Sequence, residues 1–216
     1  MRNQLYLFFL FFIFYCVPTF AQKSNSARIS QAKISIKIQP TPRYKIKNIP
    51  TNNFLKQNWL ALELEYVPLK TGKNNILAFN FNDSFNIKFE ALVPTSKNNE
   101  MFLLSTTVRY WPISFNRKKH YALALIPLNI MHKITPLNID NEFLEENLKL
   151  KATFYLNKTK IGQAYYPPSK ATEKLFTAIN SSAMKITRLP GAIFNRYQTP
   201  WSLINFNKYE LIKQQN

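Results

Sequence analysis

Apolar residues recur at every second position over much of this chain, the period that sends successive side chains to opposite faces of a strand. The clearest case is residues 58–67, where Leu60, Leu62, Leu64 and Tyr66 share one face while Ala61, Glu63 and Glu65 share the other. Such a segment reads as a half-buried antiparallel strand. Ile34, Ile36 and Ile38 alternate with Ser35 and Lys37 in the same way until Pro40 and Pro42 stop the run, and residues 44–47 continue it past the kink. Further strands are expected at 76–81, 86–93, 101–113, 120–126, 148–156 and 160–166. Phe102, Leu104, Thr106, Val108 and Tyr110 form one expected inward face, and Tyr121, Leu123 and Leu125 another.

Seven to eight short strands, separated by turns built from Asn, Asp, Ser and Pro, predict a mainly all-β chain folded as an antiparallel β-sandwich. Glycine occurs only at Gly72, Gly162 and Gly191, which excludes glycine-rich phosphate loops and dinucleotide fingerprints. Short helices are expected at 127–134 and at 137–146, the second with Asp140 or Asn141 as N-cap. Residues 172–182 read either as a helix opened by Thr172 or as a loop. From 187 onward the chain is irregular and aromatic, with Phe194, Tyr197, Trp201, Phe206 and Tyr209. So much apolar surface predicts a tail packed on the domain, Pro200 setting a rigid turn and the aromatics clamping a sheet face or edge.

One apolar stretch has no strand period. Residues 5–17 form an unbroken apolar run behind the single charge of Arg2, broken by Pro18 and followed by Thr19-Phe20-Ala21. This is the anatomy of a secretory signal peptide cleaved after Ala21. An uncleaved anchor is the rival, but the run is shorter than the roughly twenty residues that cross a bilayer. Phe14 and Tyr15 before Cys16 argue against a lipid attachment site. The organisation that follows is a leader at 1–21, a flexible polar N-terminus at 22–32 and one domain at 33–213, with the clamp segment at 187–213.

Cleavage removes Cys16, leaving about 195 residues without cysteine, enough for one domain held by packing alone. Loss of Arg2 takes the formal charge from +18 to +17. That balance favours anionic partners, such as a glycan or lipid surface, although evenly spread lysines on a soluble chain account for it equally well. Arg109-Tyr110-Trp111 and Arg196-Tyr197 interleave cations with aromatics as single-strand nucleic-acid binders do. Their strand register favours packing instead, and export argues against a dedicated nucleic-acid ligand.

Candidate chemistry is sparse. His120 and His132 are the whole imidazole supply, and neither has a metal-ligand partner at useful spacing. No nucleophile elbow is present. Asp140, Glu142, Glu145 and Glu146 crowd one expected helical turn, where complementing the helix dipole explains them better than a paired-carboxylate mechanism. Glu63 and Glu65 sit on a polar strand face where pairing with lysines is the simpler role. The sequons at Asn82, Asn157 and Asn180 would matter only in a eukaryotic secretory route. No catalytic, cofactor-binding or metal residue is assigned.

Three stretches resemble a known family in their order. Trp59-Leu60-Ala61-Leu62-Glu63-Leu64-Glu65-Tyr66 resembles a Trp-Leu-x-x-Glu-x-Glu-aromatic strand. Val108-Arg109-Tyr110 with residues 120–127 resembles a strand pair running into a short helix. Leu189-Pro190-Gly191, Thr199-Pro200-Trp201 and Lys208-Tyr209-Glu210 resemble a closing signature. Together they are similar to an exported family of Verrucomicrobia-type bacteria encoded beside type IV pilus assembly genes. The resemblance spans about residues 33–213 and implies an immunoglobulin-like β-sandwich without enzymatic activity. This chain departs from it in a longer stretch at 68–83 and in its high positive charge.

The expectation is therefore a non-enzymatic exported envelope protein, a structural or assembly component associated with a type IV pilus-like system. It would act in the periplasm, at the outer-membrane periphery or on the surface of a Gram-negative-type bacterium. Its partners would be envelope or pilus-assembly proteins, and pairing of edge strands would allow a homo-oligomer. The alternative is a basic binding module for anionic glycan or lipid surfaces. An unrecognised hydrolase using Glu63, Glu65 or the Asp140 cluster is the third reading.

Overall fold

A computed structural model describes residues 27–42, 57–69, 84–97, 99–111, 119–135, 139–179, 184–203, 208–209 and 212. The described strands are β1 (Arg28–Pro40), β2 (Asn58–Leu69), β3 (Phe85–Pro94), β4 (Glu100–Tyr110), β5 (His120–Pro127), β6 (Lys149–Leu156), β7 (Thr159–Tyr166), β8 (Lys185–Pro190) and β9 (Phe194–Asn195). They form two sheets, one in the order β1-β2-β5-β9 and the other β7-β6-β3-β4-β8. The expected immunoglobulin-like β-sandwich class is what forms. Every pairing is antiparallel except that of β8 on β4, which is parallel.

The alternation dictates the core. Leu60, Leu62, Leu64 and Tyr66 of β2 face Ile87, Phe89, Ala91 and Val93 of β3 across the sandwich, with Leu104, Val108 and Tyr110 of β4 beside them. Each fully buried Leu, Ile or Phe contributes about 1.5–3 kcal/mol over leaving it in water. Tyr66 stacks on Phe85 and on His120, with ring centroids 5.9 and 5.5 Å apart. On β5 the expected facing is reversed. Ala122, Ala124 and Ile126 enter the main core, whereas Leu123 and Leu125 point outward into a second apolar cluster. Both faces of β5 are apolar, so its period alone does not say which is inner.

Three short helices are described: α1 (Leu128–Ile134), α2 (Asn141–Asn147) and α3 (Lys170–Ala178). Asp140 caps α2, its carboxylate accepting from the Phe143 N–H at 2.8 Å. Ser169, not Thr172, caps α3, and Thr172 lies within the first turn, where its N–H donates to Ser169 Oγ at 3.1 Å.

Other boundaries also differ from expectation. β1 opens at Arg28, so residues 28–32, assigned to a flexible terminus, are paired with β2 from Arg28↔Leu69 onward. β4 ends at Tyr110, earlier than the expected 113, and Trp111 follows outside the strand. The tail adds β8 and β9, neither expected. The expected strand at 76–81 and the continuation at 44–47 lie outside the described residues, as do the leader at 1–21, Asn82 and Asn180. Gly162 of β7 sits where β1 crosses it: a Cβ there would fall 2.6 Å from Ile29 Cβ.

Candidate functional site: the two outer faces of the sandwich

Strand register lays out the outer face of the first sheet as a grid. Lys37, Ala61, Leu125 and Phe194 form one row, Ser35, Glu63 and Leu123 the next, and Lys33, Glu65 and Tyr121 a third. The tail closes over this grid. Trp201 meets Trp59 edge-on with centroids 5.4 Å apart, and Phe194 meets the same ring at 6.2 Å. Beneath them lie Ala61, Leu123 and Leu125. The indole N–H of Trp59 donates to Thr41 Oγ1 at 3.0 Å, so its polar end is satisfied as its ring is covered.

The polar rim of this clamp centres on Glu63. Lys208 Nζ stands 2.7 Å from Glu63 Oε2, and the Tyr209 hydroxyl donates to the same oxygen at 2.7 Å. Burial first, then the adjacent carboxylate, pushes the Tyr209 hydroxyl well above its ordinary range. Arg196 is buried, its guanidinium 5.3 Å from the Tyr197 ring centroid and 5.7 Å from that of Tyr209. A capping box between Asn195 and Gln198 and a bond from Thr199 Oγ1 to the Arg196 carbonyl shape the turn that carries Trp201. Glu65 is bound by Lys119 at 2.8 Å, and that bond holds its carboxyl below the usual carboxylate range.

The second sheet's outer face is half covered. Helix α3 seats Phe176 on Leu92 and Leu103, with Met101, Tyr165, Leu175, Ile179 and Ile186 around it. Beside this apolar half runs a polar one, in the rows Tyr165–Lys151–Glu90–Ser105, Gln163–Thr153–Lys88–Thr107 and Lys160–Tyr155–Asn86–Arg109. Glu90 is 6 % exposed and lies between Lys88 at 2.6 Å and Lys151 at 3.5 Å. Lys151 also lies over the Phe176 ring at 5.6 Å, linking the two halves.

The sequence candidates are dispersed. His120 is buried against Tyr66, and His132 is exposed in the last turn of α1. Asp140 caps a helix, while Glu142, Glu145 and Glu146 are exposed on α2. Tyr110 is core, Arg109 lies on the polar half of the second sheet, and Arg196 is enclosed by tail aromatics. Asn157 occupies a turn with φ 48° and accepts from the Ser84 N–H at 2.8 Å. No group of three His, Cys, Asp or Glu side chains among the described residues is placed to hold a metal ion. Glu90 and its two lysines were not singled out from sequence, though the alternation Lys88-Phe89-Glu90 already places the charges on the outer face.

A protein-family model matches residues 20–216. The chain belongs to that family. A crystal structure of a protein from Akkermansia muciniphila, a verrucomicrobium, shares the fold with a TM-score of 0.71 and 14% sequence identity, covering 89% of this chain and 96% of that one. No curated protein matches the chain. The family membership and the Akkermansia fold agree with the coarser part of the resemblance read from Trp59–Tyr66 and the closing signature.

Proposed function

We propose that this protein is a non-enzymatic, exported component of a bacterial envelope, a structural or assembly part of a type IV pilus-like system. The observation that carries this reading is the use made of the acids. Glu63 binds Lys208 and Tyr209, Glu65 binds Lys119, Glu90 binds two lysines, and Asp140 caps a helix. In these four residues the carboxylates that general acid–base chemistry would draw on are engaged in holding the fold.

Crosslinking in the native bacterium followed by co-purification tests the reading. Pilus alignment or secretin proteins should be recovered, and the mature protein should begin at Gln22. A protein that keeps Met1, or whose crosslinks never reach an envelope protein, would overturn it.

A second reading, a basic module for anionic glycan or lipid surfaces, is favoured by the polar half of the second sheet. Four cations, Lys88, Lys151, Lys160 and Arg109, face outward there around Glu90. Retention on an anionic column that falls steeply with added salt is the expected signature, because exposed charges are screened beyond about 8 Å at physiological ionic strength.

A further inference from the structure

Strand spacing turns the polar rows of the second sheet into distances. Neighbouring strands lie about 4.8 Å apart, so Tyr155 on β6 and Arg109 on β4, with Asn86 of β3 between them, span about 10 Å. The adjacent row, Thr153, Lys88 and Thr107, runs parallel to it. Thr107 is exposed, and Asn86, Lys88, Arg109 and Tyr155 are half-exposed. Helix α3, standing on the neighbouring rows through Phe176, makes the uncovered rows a floor beside a wall.

Two polar atoms on this floor are left without a protein partner. Thr153 is 2 % exposed, and its hydroxyl is buried without a hydrogen bond; the Nε–H of Arg109 is likewise buried and unbonded. Buried donors and acceptors normally find partners, because an unmade bond costs about 1–3 kcal/mol. Charge adds direction. Lys88 and Lys151 share the single carboxylate of Glu90, Lys160 bonds the neutral Gln163, and Gln163 in turn engages Glu173 at the foot of α3. The floor keeps an excess of positive charge with Arg109 at one end and an aromatic ring at the other.

We propose that this floor binds a strand of acidic polysaccharide. The claim rests on the second reading above and names its surface and ligand. Arg109 and Lys88 meet the carboxylate or sulfate groups, Arg109 through its planar fork. Tyr155 offers its ring to the apolar face of a sugar, and Asn86, Thr107 and Thr153 bond hydroxyls. A lipid bilayer fits worse: its headgroup plane would rest on α3, while the buried Thr153 hydroxyl lies on the floor beneath.

Titration of the mature protein with heparin and with polygalacturonate oligomers, followed by calorimetry and amide chemical shifts, tests this. Dextran is the neutral control, and Lys33→Gln/Lys37→Gln, on the opposite sheet, is the charge control. Binding of both acidic polymers should shift the amides of 86–88, 107–109 and 153–155. Arg109→Gln and Tyr155→Ala should each weaken it about tenfold with melting temperature unchanged, and Lys33→Gln/Lys37→Gln less than twofold. Equal losses for Arg109→Gln and Lys33→Gln/Lys37→Gln would overturn the floor while leaving charge-driven glycan binding in place. Displacement of the glycan by phosphatidylglycerol vesicles or single-stranded DNA with the same Arg109 dependence would also overturn it. No heparin binding by the wild type at low salt would remove both this inference and the reading beneath it.

Discussion

Tyr209 donates its phenolic hydrogen to Glu63 Oε2 at 2.7 Å, joining residues 146 positions apart in the chain. Through this bond the last part of the sequence is fastened to the middle of β2, the strand whose inner face supplies much of the core. Lys208 binds the same carboxylate, and its ammonium lies 5.1 Å from the Tyr121 ring. The tail is therefore a structural element of the first sheet.

Removing the hydroxyl alone measures that bond. Tyr209→Phe should cost about 1 kcal/mol in urea denaturation, the scale of a partly exposed hydrogen bond to a charged group. A double-mutant cycle with Glu63→Gln should show coupling; strictly additive losses would mean that the two side chains do not interact in solution. The pH dependence has a definite sign. Tyr209 keeps its proton more tightly in the folded protein than the ordinary value near 10, so between those two values the unfolded chain has released a proton that the fold still holds. Stability from this group is complete below about pH 10 and is lost as pH rises further. Tyr209→Phe should lose less stability than the wild type between neutral pH and pH 11.

Glu65 titrates in the opposite direction. Lys119 holds its carboxyl below the usual range, so its contribution is present above the unfolded value near 4.3 and is lost as pH falls through the lowered one. Lys119→Gln should raise the Glu65 pKa measured by carboxyl-carbon NMR and flatten the acid limb of the stability profile. An unchanged Glu65 titration would show that the surface pair is not formed.

The aromatic clamp carries more free energy than its polar rim. Trp201→Ala removes a buried ring from contact with Trp59 and should cost about 3–5 kcal/mol, measured by thermal or urea unfolding. Truncation after Ile193 removes β9, Trp201 and Tyr209 together and should leave an insoluble or much less stable domain. A truncated chain that melts with the full-length protein would show that the clamp contributes nothing.

Gly162 is the point where added bulk should be felt. Gly162→Ala would press its methyl against Ile29 Cβ at 2.6 Å and force β1 aside, costing about 1–3 kcal/mol. Ile29→Ala removes the Cγ1 contact at 2.8 Å but keeps that Cβ, so it should relieve only part of the strain, and Ile29→Gly should recover more of it. Equal stability of Gly162→Ala and wild type would mean that β1 does not press on β7 there.

The inner faces of β2 and β4 were legible from sequence because only one side of each strand is strongly apolar, as Leu60, Leu62 and Leu64 against Glu63 and Glu65 illustrate. β5 misled because the tail buries its outer side too: Leu123 and Leu125, the larger residues, face Trp59 and Trp201, while Ala122 and Ala124 fill the main core. β8 escaped notice because it is an edge strand with Lys185, Thr187, Arg188 and Pro190 exposed, a composition that protects an edge and erases its period. Residues 28–32 read as polar and unpatterned, although their backbone pairs with β2. The polar floor was visible only as isolated alternating residues. The pairing of β3 with both β4 and β6 is what sets Tyr155, Asn86 and Arg109 side by side, and no local pattern announces that adjacency.

The fastening of Tyr209 and Trp201 onto β2 also sets an order of events. Ribosomes deliver the chain from its N-terminus, so Trp59, Leu123 and Leu125 are made long before the residues that cover them. Until the final segment emerges, the outer side of the first sheet faces water with its apolar cluster bare. Completion of the fold therefore waits on the arrival of residues 194–212, and a chain interrupted before Trp201 displays the very surface that a quality-control protease or chaperone recognises.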